Sequence, residues 1–123
     1  MRKETKLSRK QRIDFVHLLG DLLANGFSLQ QALGFFLSAN LFSQTVVSIV
    51  QQNLYQGNSL AMSFAQLNYS PDQVLQIELA ESHGDLAQTF VGIAQQMKLV
   101  QKQRENFLKA VSYPLLLLSL IHI

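Results

Sequence analysis

Glu78, Glu81 and Asp85 stand close together in the chain and are the residues whose type and spacing most suggest chemistry. At about 100° per residue, Glu78 and Glu81 lie within the arc of Val74, Leu75 and Ile77, while Asp72, Gln73 and Gln76 take the opposite side. A carboxylate on an apolar face needs a partner, because burying an unpaired charge costs several kcal/mol. Two readings follow. Either these carboxylates cap amides or meet a basic group inside a bundle, or with Asp85 they form an inter-subunit contact, a cation site or an acidic patch for a basic partner.

No other constellation points to catalysis. His17, His83 and His122 are scattered, with no partner at metal-ligand spacing, and His83 suits the last turn of a helix, where the dipole favours its cation. Phosphate-binding glycine loops, nucleophile elbows and zinc motifs are all missing from the sequence. There is no cysteine, which removes disulfide and thiolate chemistry and fits a reducing compartment. The expectation is a protein that is not an enzyme and takes no cofactor and no metal.

Charge is distributed unevenly along the 123 residues. Arg2, Lys3, Lys6, Arg9, Lys10 and Arg12 crowd the start, and Lys98, Lys102, Arg104 and Lys109 hold the remaining basic charge. Between residues 13 and 97 there is no lysine or arginine. The early group reads as a solvated basic arm over residues 1–7. Nucleic-acid binding is not expected, since no aromatic residue interleaves with these cations. The later group, followed by Leu115-Leu-Leu-Leu-Ser-Leu-Ile-His-Ile123, has the pattern of membrane-proximal basic residues on the cytoplasmic side of a span.

The elements that must carry these residues read as helices, since no stretch alternates as a strand would. Ser8-Arg-Lys-Gln11, Ser28-Leu-Gln-Gln31 and Ser70-Pro-Asp-Gln73 have capping-box spacing. Ser43 and Ser59 open two further helices, and a sixth begins at Asp85. Gly26, Gly57 and Gly84 mark corners, each supplying a residue that can go left-handed after a helix. The first two recur as Gly26-Phe-Ser-Leu29 and Gly57-Asn-Ser-Leu60. In the last helix, Leu86, Phe90, Ile93, Met97, Val100, Phe107 and Val111 form an apolar seam. The expected class is all-α: an antiparallel six-helix bundle over 8–112 whose long last helix leads, through Pro114, into a truncated transmembrane segment over 113–123.

Taken together, these corners resemble the platform protein of type II secretion, type IV pilus and competence pseudopilus machines, the F domain family. The carrying residues are Leu22-Leu23-Ala-Asn-Gly26-Phe27-Ser-Leu29-Gln-Gln-Ala32-Leu33, Gly57-Asn58-Ser59-Leu60, Glu81-Ser-His-Gly84-Asp-Leu86 and Ala110-Val-Ser-Tyr113-Pro114. His83 departs from the family's serine or threonine, and the family's second cytoplasmic domain and remaining spans lie outside these residues. Low charge and fifteen glutamines point toward the Gram-positive competence branch.

The resemblance implies a non-enzymatic scaffold at the inner, cytoplasmic membrane, with this portion on the cytoplasmic side. Its implied partners are the assembly ATPase, pilin-like subunits, the membrane and further copies of itself as a homodimer or higher homo-oligomer. The alternative reading is a soluble helical adaptor whose apolar tail packs internally or on a partner.

Overall fold

The computed structural model describes residues 7–121, which form six helices and, among those residues, no strand. They are α1 (Arg9–Ala24), α2 (Leu29–Ser38), α3 (Gln44–Tyr55), α4 (Leu60–Gln66), α5 (Pro71–His83) and α6 (Leu86–Ile121). Arg2, Lys3, Lys6 and His122 lie outside the described residues. Leu7, read from sequence as the end of a basic arm, is buried in the core.

The starts and stops have local causes. Ser8, Ser28 and Ser70 make full capping boxes with Gln11, Gln31 and Gln73, while Ser43 and Ser59 accept from the amides of Val46 and Met62. After α1, the amide of Phe27 reaches Leu22 O at 3.1 Å and that of Gly26 reaches Leu23 O at 3.1 Å, with Gly26 at φ 92°. This is a Schellman motif. α3 ends the same way at Gly57. So do α2 and α4, where Asn40 (φ 55°) and Asn68 (φ 73°) take the left-handed position. Asparagine tolerates that region better than other residues with a Cβ.

Consecutive helices pack on one another, and α1 against α6 closes the ring as the most extensive pair. His17 of α1 meets Lys98 while Gly20 meets Phe90 and Val91, so the two helices run antiparallel. Gly20 is their crossing point: a Cβ there would lie 3.0 Å from Phe90 Cβ and 3.0 Å from the Val91 amide nitrogen. Phe15 occupies the centre, with ring centroids 5.4 Å from Phe36, 5.0 Å from Phe42 and 5.9 Å from Phe64. Phe64 in turn stacks on Phe90 at 5.3 Å. These tilted, edge and stacked contacts join α1, α2, α4 and α6 through one aromatic cluster.

The expected seam of α6 is core only in its first part. Phe90 and Ile93 are buried and Leu86 and Met97 half-buried, but Val100 is 55% and Phe107 66% exposed. From Lys102 to Ile121 every side chain except Val111 is exposed. The reason is geometric: the start of α1 lies beside Gln101 and Arg104, and α6 runs past it with no described helix alongside. Pro114 does not end the helix, which continues to Ile121 over about 54 Å. Proline's missing N–H leaves Ala110 O without its usual partner there. The expected transmembrane start over 113–123 gains no support, since no helix among the described residues is long and apolar enough to cross a membrane.

Candidate functional site

α5 divides the acidic residues that sequence had grouped. Ile77 and Ala80 are buried, with Val74 and Glu81 partly so, whereas Leu75 and Leu79 are each 53% exposed and flank the exposed Glu78. The inward face is thus rotated away from the arc expected from Leu75, because the ring of helices covers only one side of α5. Glu81 points at α4. Its Oε2 accepts the Leu60 amide at 2.7 Å and its Oε1 the Ala61 amide at 3.1 Å, while Ser59 Oγ accepts that of Met62 at 3.2 Å. Three amides that the first turn of α4 leaves unpaired are satisfied this way.

Gly84 (φ 78°) then turns the chain, its amide bonding Ala80 O at 2.8 Å, and His83 Nδ1 donates to Leu79 O at 2.7 Å. Asp85 is exposed just before α6, and its carbonyl accepts from Thr89 at 3.1 Å. Glu78, Glu81 and Asp85 are therefore not brought together. Among the described residues no cluster of acidic or histidine side chains is arranged to hold a metal ion.

The basic residues of α6 also separate. At about 100° per residue Lys98, Lys102 and Lys109 lie within an arc of about 40°, with Glu105 about 20° to one side, and Arg104 points elsewhere. Lys98 Nζ donates to His17 Nδ1 at 2.7 Å, and His17 Nε2 sits 3.0 Å from Asp21 Oδ2. An ammonium has only donors, so Nδ1 is the bare nitrogen and Nε2–H faces Asp21. This chain of contacts ties α6 to α1. Lys102 and Lys109 are exposed.

Arg104 faces a groove that sequence reasoning did not assign. Arg9 and Arg12 of α1, Asp72 at the start of α5, and Gln101 and Arg104 of α6 line an open groove of about 460 Å³. Ile13, Ile93 and Met97 supply apolar lining. The groove's wall is pinned at Arg12, whose Nη1 donates to Asn68 O at 3.3 Å and whose carbonyl accepts the Tyr69 hydroxyl at 2.6 Å. Burial pushes the Tyr69 phenol well above its ordinary range, against a smaller lowering by the Arg12 charge. The only advance signal was the i,i+3 spacing of Arg9 and Arg12 on one side of α1.

Among the described residues the arrangement offers an arginine-lined groove and the exposed apolar half of α6. A family model described as type II secretion system (T2SS), protein F, matches residues 15–123. No curated protein matches the chain.

Proposed function

This chain belongs to the type II secretion system protein F family, and we propose that it is the non-enzymatic helical domain of a platform protein that scaffolds pilus or pseudopilus assembly. In this reading the bundle lies on the cytoplasmic side of the membrane and contacts the assembly ATPase and pilin-like subunits. The competence branch, working in DNA uptake, is the version we favour, on the low charge and glutamine-rich surface.

One observation carries the reading. α6 is half inside the bundle and half outside it, with Phe107, Leu108, Tyr113 and Leu115 to Leu118 all exposed. A long exposed apolar stretch marks a surface made to meet something else. Joined rigidly to the core through Phe90 and Ile93, such a helix can pass a displacement between the bundle and a membrane-associated assembly. The test is affinity purification of the natural full-length protein from its own membranes. Recovery with the assembly ATPase and a pilin-like subunit supports the reading, and recovery in the soluble fraction with neither contradicts it.

A further inference from the structure

We infer that the arginine-lined groove between α1, α5 and α6 binds an acidic, amphipathic peptide segment of another protein. The inference rests on the groove's own geometry and not on the secretion reading. Its first support is charge. Arg9, Arg12 and Arg104 against Asp72 leave a net charge of +2 in the lining (three minus one), and the α5 N-terminus adds to it. Among the described residues neither Arg9 nor Arg104 is within ion-pair distance of a carboxylate. Guanidinium groups without carboxylate partners are suited to bidentate capture of one.

The second support is independent and distinguishes a peptide from a simple anion. Gln101 Oε1 is buried with no hydrogen-bond partner among the described residues, and Gln101 lines the groove. That oxygen can only accept. It is out of reach of solvent, so a ligand meets it only when the side chain turns toward the groove; there a peptide N–H satisfies it and an unprotonated phosphate does not.

The third support is the alternation of surfaces. Met97 and Val100, lying over the buried Ile13 and Ile93, provide an apolar floor beside the cationic rim. An extended segment with alternating apolar and acidic residues presents opposite faces to these two surfaces.

The test is fluorescence anisotropy of the 123-residue chain with a labelled peptide of repeated Glu-Leu pairs, set against its Gln-Leu counterpart. The expected result is binding of the Glu-Leu peptide that falls with salt, and much weaker binding of the Gln-Leu peptide. Arg9→Glu and Arg104→Glu should each weaken it on the order of tenfold, while Lys109→Glu, away from the groove, leaves it unchanged. Gln101→Leu should weaken peptide binding while raising the thermal midpoint of the free protein, a combination that misfolding cannot produce. Equal binding of both peptides, indifference to the arginine reversals, or arginine-dependent binding to phosphatidylglycerol vesicles without peptide binding would each overturn the inference.

Discussion

Glu81 and Leu60 stand on different helices and 21 positions apart, yet the carboxylate of the first accepts the amide of the second at 2.7 Å. α5 therefore caps α4, a helix of 7 residues too short to hold itself by propensity. The glutamate that opens the Glu81-Ser-His-Gly84 corner is structural: it fixes the position of α4 against the turn into α6.

Removing that carboxylate should be felt in stability. Glu81→Ala leaves the part-buried amides of Leu60 and Ala61 unpaired and should lower unfolding free energy by about 1–3 kcal/mol, measured by urea titration. Glu78→Ala, on the exposed face, should stay within about 0.5 kcal/mol of the parent. Equal effects would contradict the separation of the two residues.

Gly20 tests the α1–α6 crossing. Gly20→Ala brings a methyl to 3.0 Å from Phe90 Cβ and the Val91 nitrogen, neither of which is the tip of a flexible side chain. We expect a loss of about 1–3 kcal/mol. Gly34 and Gly92 are helical, with open space around the added Cβ, so alanine there should stabilise by about 0.5–1 kcal/mol.

Much of this fold was legible because its punctuation is local. Serine caps, three of them with glutamine at the third position, and glycine at the left-handed residue place five helix starts and three corners without any tertiary knowledge. Asn40 and Asn68 were not foreseen as left-handed residues because asparagine signals a left-handed turn less strongly than glycine. Of the arc expected on α5, Val74, Ile77 and Glu81 do face inward and Glu81 caps amides, but Leu75 and Glu78 lie outside, which periodicity alone cannot reveal. Likewise Phe107 continues the seam of Phe90 although no described neighbour covers it. The Lys98–His17 and Tyr69–Arg12 contacts, 81 and 57 residues apart, have no local signature at all.

The Lys98 contact predicts a tautomer. Nitrogen-15 NMR of neutral His17 should show the proton on Nε2, and Lys98→Met should release a mixture of tautomers while costing no more than about 1 kcal/mol, as partly exposed polar pairs do. An Nδ1-protonated ring in the parent would break the proposed chain from Asp21 to Lys98.

Tyr69 gives a signed pH effect. Its phenol is raised in the folded state by burial, so above the ordinary tyrosine value of about 10 the unfolded chain loses a proton that the native one keeps. The native state then binds more protons, and stability falls as pH rises, by up to about 1.4 kcal/mol per pH unit from this residue. Below that value the effect is absent. Tyr69→Phe should remove this part of the alkaline slope while costing about 0.5–1.5 kcal/mol at neutral pH through the lost bond to Arg12 O. An unchanged slope in the variant would show that the phenol ionises freely.

The central claim is that the exposed apolar half of α6 is the surface by which the bundle meets its assembly partners. Site-specific photo-cross-linking from Phe107, in the natural full-length protein and in its own cells, tests it most directly. The account predicts membrane-fraction adducts with a second copy, the assembly ATPase or a pilin-like subunit. Adducts confined to residues of the same bundle would show the helix folded back on its own core, and would contradict it.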